Sequence, residues 1–508
     1  MKRILSLILV VAMLVSLGVC CVPASAEKSD ISLGDITEIV TKYLGDLDLS
    51  TITAIINAFN DLKENGISFD TDTIIAVASG VANYIGGGST VDPAVIKAVV
   101  AGVGDAFENG ISVDSGVVSA IVAGLAGDLL GKVEIDPAII STVIGAYNDI
   151  KANGISLDSD VLTTVVAGLA GSIGDGLEID PAVVKVVMAA AADAFANGIS
   201  FDSATISAIA AGLAGKLLDG VEIDPAIIGA VIAGIADIKE NGLSLDSSTI
   251  SVIVSALADK LLDGTNFDVS TVRALIAAIA DVRANGFNLD SKAIQEVIRR
   301  MIGNETYAQI MVIISNVTGN YPFKDIANSG YRDSIVEAYY LGLVNGFNDG
   351  TFRPNQVVTR AQFITMLWRA AGEPVVAGTL KFADSSKIAK DYKAAVIWGV
   401  SKGIIEGYTD NTFRPTANIT RAQMATFMYR YLKNVAEYDF GEVEAVEFAD
   451  ADTISAAYVD AVNAIVGAGI MNGVGDGTNF APFMTANRGM AATVLVRLYN
   501  LVNAEPAE

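Results

Sequence analysis

An Asn-Gly pair recurs every 44 residues through the first half of the chain, at Asn65, Asn109, Asn153, Asn197, Asn241 and Asn285. So strict a period leaves few architectures open. Aspartate keeps the same interval at Asp48, Asp92, Asp136, Asp180, Asp224 and Asp268, and another follows each 22 residues later, at Asp70, Asp114, Asp158, Asp202, Asp246 and Asp290. A unit of this length cannot bury its own apolar face and must stack on its neighbours, so six repeats of two half-repeats predict a solenoid.

The markers follow from helix-end chemistry. Asp136 suits an N-cap, Pro137 fits the first helical position, where its missing N–H costs nothing, and Ile135 is placed to staple to Ile140. Asp92, Asp180 and Asp224 precede Pro93, Pro181 and Pro225 in the same way. About four turns later Asn153 and Gly154 end the helix, the glycine as a left-handed cap, and Asp158 opens the next helix with Leu157 and Leu162 as a second staple. Each cap contributes about 1 kcal/mol. The recurrent aspartates are thereby accounted for as structural residues.

The second helix of a repeat, such as 117–130, is apolar almost all round and predicts a core position, whereas the first ends in polar residues and predicts half exposure. Alanine and glycine permit close helix approach. The expected fold class is all-α, an N-terminal α-helical solenoid. A shortened helix over 30–44 would cap its start, and Arg299, Arg300 and a helix over 305–317 its end.

A different repeat governs the last third. Segments 342–369, 403–430 and 469–497 each run from an apolar stretch ending at Gly346, Gly407 or Gly473, through an Asp-, Asn- and Gly-rich turn, into an amphipathic helix. Arg360, Arg421 and Arg488 fall in the first turn of those helices, each nine residues before a second arginine, Arg369, Arg430 or Arg497. A helix N-terminus favours anions over cations. Two readings follow: the guanidinium and free backbone amides together grip a ligand carboxylate or phosphate, or the arginines pin the loops of one repeat against the next.

Each copy opens with an aromatic and acidic signature, FKDI at Phe323, FADSS at Phe382 and FADAD at Phe448, and Thr359-Arg360-Ala361-Gln362 and Thr420-Arg421-Ala422-Gln423 stand where a TRAE signature is usual. On these motifs the region from Phe323 to about Val502 resembles three S-layer homology modules, which attach bacterial surface proteins to the cell wall. The resemblance implies a pseudo-threefold helical arrangement whose grooves bind a secondary cell-wall polysaccharide, often one bearing an acidic ketal. It implies polymer-binding residues at Arg360, Arg421 and Arg488, at Thr359, Thr420 and Asn487, at the turn residues Asp349, Gly350, Asp410, Asp476 and Gly477, and at Trp398. The third module departs from the signature, with Asn487, Gly489 and Met490 around its arginine, and which grooves function is left open.

Lys2 and Arg3, an apolar run from Ile4 to Val22 and Ala24-Ser25-Ala26 predict a secretory signal peptide. Cys20 and Cys21 would suit a lipoprotein, but Val19 stands where a small residue is expected. Cleavage after Ala26 removes both cysteines, and with no histidine anywhere in the chain the nucleophilic triads and zinc sites that use these residues are excluded. The 58 acidic residues exceed the 33 basic ones for a net charge of −25, or −27 without Lys2 and Arg3, which argues against nucleic acid and anionic membrane as general partners. Polar residues interrupt the later apolar runs before the ~18 residues a membrane span requires. No enzyme and no cofactor is expected. Acid-glycine segments such as 218–224 and 262–268 lack the ligand spacing of an EF-hand.

The expected organisation is a signal peptide 1–26, capping segment 27–47, repeats 48–303, capping helix and linker 304–322, modules 323–372, 382–433 and 448–502, and a tail 503–508. The expected function is noncovalent anchoring to the bacterial wall, with the solenoid as spacer or self-associating surface-layer region. The alternative makes the solenoid an adhesin for a host or neighbouring-cell protein. Phe107 and Phe195, where other repeats carry Lys63, Lys151 or Lys239, are candidates for partner contact or for packing beneath a loop.

Overall fold

The computed structural model describes residues 49–503 apart from 65–72, 74–75, 78, 82–83, 85–90, 129–135, 154–156, 158, 175–176, 178, 215–222, 263–264 and 288. The signal segment, the 27–47 cap, Asp48, Asn65, Asp70, Ile135, Gly154, Asp158 and much of 218–224 lie outside the described residues. The described residues are helical, with β-structure confined to isolated bridges, and the chain divides into two units after Asn304.

In the first unit the first helices of successive repeats are α1 (Leu49–Glu64), α2 (Pro93–Glu108), α4 (Pro137–Ala152), α6 (Pro181–Ala196), α8 (Pro225–Glu240) and α10 (Val269–Ala284). The second helices are α3 (Ser115–Asp128), α5 (Ser159–Gly174), α7 (Ser203–Leu213), α9 (Ser247–Leu262) and α11 (Ser291–Arg300). Each packs chiefly on its counterpart in the next repeat, giving a two-layered α-solenoid.

The caps take two forms. Before proline, Asp92, Asp136, Asp180 and Asp224 accept from the amide two residues on, at 2.7–2.9 Å. Where serine or valine follows, Asp114, Asp202, Asp246, Asp268 and Asp290 accept from the amide three residues on, at 2.6–2.9 Å. At the other end Gly110 lies at φ 74°, and the amides of Gly110 and Ile111 return to the carbonyls of Phe107 and Ala106 at 2.9 Å each, a Schellman closure. Asparagine precedes that glycine because its side-chain amide reaches the carbonyl four residues back: Asn109 Nδ2 donates to Asp105 O at 2.8 Å, and Asn153, Asn197, Asn241 and Asn285 do likewise.

The second helices approach closely because glycine stands at the contact. A Cβ on Gly124 would lie 2.7 Å from that of Val166, and one on Gly168 2.5 Å from that of Ile206. Ion pairs tie successive repeats along the edge: Lys151 to Asp114 at 3.3 Å, Lys239 to Asp202 at 2.7 Å and Arg283 to Asp246 at 2.7 Å.

The second unit begins with α12 (Tyr307–Thr318), the helix expected over the end of the repeats, which packs on α13 (Arg332–Tyr340) within this unit. Three helix pairs follow: α13 with α14 (Arg360–Ala370), α15 (Lys390–Ser401) with α16 (Arg421–Asn434), and α17 (Ala456–Gly467) with α18 (Arg488–Asn503). Packing is cyclic rather than within pairs: α14 lies on α15, α16 on α17, and α18 returns to α13. Around the centre the Val358 amide donates to Ala486 O at 2.9 Å, Ala486 to Ile419 O at 3.0 Å and Ile419 to Val358 O at 2.9 Å. That closed triangle of backbone bonds defines a pseudo-threefold array with one continuous core.

Candidate functional site

Each module's opening signature builds the loop before its second helix. Asp325 accepts from the amides of Phe352 and Arg353 at 2.8 and 2.7 Å, Asp384 from Phe413 and Arg414 at 2.9 and 2.8 Å, and Asp450 from Phe480 and Ala481 at 2.8 Å each. Two charge-assisted bonds per carboxylate offset the left-handed backbone of Arg353, Arg414 and Ala481, at φ 60°, 57° and 55°. The signature phenylalanine needs glycine opposite it, since a Cβ on Gly346 would stand 2.1 Å from the Phe323 ring.

The turns are locked internally. Asp349 accepts from the amide and hydroxyl of Thr351 at 3.0 and 2.5 Å, Asp410 from those of Thr412 at 3.1 and 2.5 Å, and Asp476 from the Thr478 amide at 3.0 Å. Gly350 and Gly477 take the left-handed conformation beside them, as does Asn411 in the middle module. In the first two modules a loop arginine joins this turn: Arg353 Nη2 donates to Asp349 and Arg414 Nη2 to Asp410, both at 2.9 Å. Hydrogen bonds from Thr412 and then Arg414 hold the Asp410 carboxyl at about 2.

Arg360, Arg421 and Arg488 are each about 95% buried, at 5, 6 and 5% exposure, and every one reaches into another module. Arg360 Nε donates to Phe413 O at 2.9 Å. Arg421 Nε and Nη2 donate to the carbonyls of Phe480 and Asn472 at 2.7 and 2.6 Å. Arg488 Nε and Nη2 close the cycle on Phe352 and Asn345, each at 2.7 Å. Burial lowers all three pKa values, that of Arg488 to about 10. The arginines nine residues on work within their own modules, Arg430 and Arg497 donating to the carbonyls of Ile404 and Ile470 at 3.3 and 3.2 Å.

Two sequence expectations are corrected here. The first-turn amides are not free to grip an anion, because the next module's loop takes them: Arg360 and Ala361 donate to Ala417 and Pro415, Arg421 and Ala422 to Met484 and Pro482, and Arg488 and Gly489 to Gln356 and Pro354. Trp398 has 0% exposure and packs near Tyr431, ring centroids 6.3 Å apart, so its side chain has no surface to offer a polymer. Thr359, Thr420 and Asn487 are N-caps, and Gln362 and Gln423 complete capping boxes with the two threonines, the role that glutamate would also fill.

Sequence reasoning missed Arg353 and Arg414. Their guanidinium carbons stand 3.9 Å from the Phe347 and 3.8 Å from the Tyr408 ring centroids, and those same rings hold Arg488 and Arg360 at 4.9 Å each. The signal was present as FRP in two modules against FAP in the third. In the solenoid, Phe195 takes the place of the cation in the edge ladder and lines a shallow groove of about 290 Å³ with Val161, Ile199 and Phe201. Among the described residues no acidic cluster is arranged to hold a metal ion, and no helix is long and apolar enough to cross a membrane.

Comparison with known proteins matches residues 322–364, 381–425 and 447–491 to the S-layer homology domain. The chain is 34% identical over 183 residues to an endoglucanase of Bacillus sp. (strain KSM-635), covering 35% of this chain and 19% of that one. It is 30% identical over 158 residues to a cellulosome-anchoring protein of Acetivibrio thermocellus, covering 28% and 35%, and 29% identical over 210 residues to S-layer protein sap of Bacillus anthracis, covering 41% and 25%. The chain therefore spans about a third or less of these relatives' lengths. The C-terminal unit, with its cyclic helix packing and three interlocked arginines, consists of three tandem S-layer homology domains preceded by one helix.

Proposed function

We propose that this chain is a secreted bacterial surface protein, attached noncovalently to the cell wall by its S-layer homology domains, which hold secondary cell-wall polysaccharide, while the solenoid serves as a spacer or surface-layer element. The observation carrying this reading is the threefold interlock in which a buried arginine of each module donates to the loop carbonyl of Phe413, Phe480 or Phe352 in another module, beside that module's Asp-containing turn. Positive charge there, in a chain of net charge −25, is a local departure that selects an anionic ligand. The turn residues Asp349, Gly350, Asp410, Asp476 and Gly477 shape the groove walls. The helix caps Thr359, Thr420 and Asn487 fix the arginines and act on the ligand only through them.

The test is sedimentation of the full chain with purified bacterial walls before and after removal of the secondary polysaccharide. Binding to untreated walls alone supports the anchor, and equal binding to stripped walls defeats it. The second reading, an adhesin, draws on the Phe195 groove, where the edge ladder is interrupted and an apolar surface is open. Phe195→Lys, restoring the ladder of the neighbouring repeats, would abolish binding to other cells on that reading and leave wall binding intact.

A further inference from the structure

The chain holds eight Asn-Gly pairs, six in the solenoid and two, Asn345-Gly346 and Asn472-Gly473, in the C-terminal unit. The dipeptide carries a latent reaction, because a glycine without a side chain lets its own backbone nitrogen approach the Cγ of the preceding asparagine. The surroundings of that nitrogen and of the side-chain amide decide where the reaction runs.

At the solenoid's helix ends both groups are held. Asn109, Asn197, Asn241 and Asn285 lie at ψ between 7° and 9°, about 120° of rotation from the eclipsed arrangement of Cβ and glycine nitrogen that ring closure demands. The amides of Gly110, Gly198, Gly242 and Gly286 donate to the carbonyls three residues back at 2.9–3.0 Å. Each asparagine Nδ2 donates to the carbonyl four residues back at 2.8–2.9 Å. Reaction there requires both bonds to break and the helix end to open.

The other two pairs stand outside any helix or turn, with both asparagines exposed. Among the described residues neither side-chain amide, nor the backbone amide of Gly346 or Gly473, donates a hydrogen bond. Only the asparagine carbonyls are engaged: Asn345 O accepts from Arg488 Nη2 at 2.7 Å and Asn472 O from Arg421 Nη2 at 2.6 Å. The middle module has Glu406 before Gly407 instead, its carboxylate accepting from Arg430 Nη2 at 2.6 Å.

We propose that Asn345 and Asn472 are sites of spontaneous deamidation in the folded protein, that their isoaspartate form loosens the closed cycle of modules, and that the helix caps keep the solenoid pairs intact. The glycine nitrogen, its proton lost to solvent hydroxide, bonds to the asparagine Cγ; the Cγ–Nδ2 bond breaks, and Nδ2 takes a proton from water and leaves as ammonia. Water then opens the cyclic imide at Cγ, giving aspartate, or at the main-chain carbonyl carbon, giving isoaspartate. In isoaspartate the chain runs through Cβ and Cγ and is one methylene longer, and the carbonyl that met Arg488 or Arg421 has left the main chain. The added length falls where there is no room, since a Cβ on Gly346 would stand 2.1 Å from the Phe323 ring and one on Gly473 2.1 Å from the Gly477 carbonyl oxygen. This inference is independent of the polysaccharide reading.

The experiment ages the full chain at mildly alkaline pH, folded or in urea, and follows each Asn-Gly pair by peptide mapping with mass spectrometry that separates aspartate from isoaspartate. In urea all the pairs should convert at similar rates. In the folded chain Asn109, Asn197, Asn241 and Asn285 should convert at least about tenfold more slowly than Asn345 and Asn472, the factor that breaking one cap bond sets. Tryptophan fluorescence, which reports on the C-terminal unit through Trp368 and Trp398, should show the urea midpoint of the aged parent falling as isoaspartate accumulates. Asn345→Gln with Asn472→Gln keeps both backbone carbonyls, suits a position where Glu406 is accommodated, and should hold its midpoint through the same ageing. Folded-state conversion that is as fast at the caps as at Asn345 and Asn472, survival of those two asparagines while the urea sample converts, or an aged parent that keeps its midpoint despite isoaspartate at both sites would each overturn the inference.

Discussion

Arg488 donates through Nε to the Phe352 carbonyl at 2.7 Å across 136 residues of chain, joining the last module to the first. A second bond from Nη2 to Asn345 O, also 2.7 Å, spans 143 residues. The contact closes the cycle that Arg360 and Arg421 begin, so the three modules form one folding unit instead of three beads.

Arg488→Ala should therefore destabilise all three modules together. It strands two carbonyls, at a cost of about 2–4 kcal/mol. Both tryptophans of the chain, Trp368 and Trp398, lie in the C-terminal unit, so urea unfolding followed by tryptophan fluorescence isolates it. One transition at lower urea is the expected result. An unchanged midpoint, or a split into two transitions, would refute the closed cycle.

Asp384 offers a local test. Its carboxylate satisfies the buried Phe413 amide and the amide of Arg414, which sits at φ 57°. Asp384→Ala leaves both amides without that acceptor and should cost about 2–4 kcal/mol. Asp384→Asn keeps one acceptor oxygen and should lose about half as much, read by the same fluorescence midpoint.

The contrast between these two sites shows what the sequence could reveal. Caps announce themselves, because Asp-Pro-Ala and Asn-Gly carry their chemistry in adjacent side chains, and the 44-residue period and all-α class followed from them. The acceptors of Arg360, Arg421 and Arg488 are backbone carbonyls 53, 59 and 136 residues away, and a carbonyl leaves no mark in a sequence. The same blindness let the first-turn amides pass as free when Pro415, Pro482 and Pro354 accept from them or their neighbours. Trp398 entered the candidate site only through the family resemblance, and its helix position turns it into the core. Phe347 and Arg353 stand six residues apart, and only the folded turn brings ring and guanidinium together.

Helix spacing in the solenoid should be exquisitely sensitive at one glycine and not at another. Gly168→Ala places a Cβ 2.5 Å from the branched Cβ of Ile206 and 2.7 Å from the Ser203 carbonyl oxygen, neither of which can swing aside. Overpacking of this kind costs about 1–3 kcal/mol, outweighing the roughly 1 kcal/mol gained by alanine's helix propensity. At Gly145 the nearest atom is the mobile end of Ile111 at 3.3 Å, so Gly145→Ala should be neutral or stabilising. Far-UV circular dichroism during thermal unfolding distinguishes the two, and equal shifts in one direction would reject the close-packing account.

Acid should loosen the solenoid through its caps. Asp246 accepts from Ser248 Oγ at 2.5 Å, from the Thr249 amide at 2.8 Å and from Arg283 Nη2 at 2.7 Å, which together hold its carboxyl at about 2. At Asp202 burial works against ionisation but is outweighed by bonds from Lys239 and Thr205, and the value is again about 2. An unfolded aspartate titrates near ~3.9, so each group binds its proton less readily in the fold. The stabilisation is present in full above the unfolded value and disappears as pH falls through the folded one. Asp246→Asn should accordingly be less stable than the parent at pH ~5–7, with the gap closing as pH drops below about 2. Urea midpoints from far-UV circular dichroism across that range measure the gap directly, and a difference that stays constant with pH would show that the Asp246 charge is not what secures the start of α9.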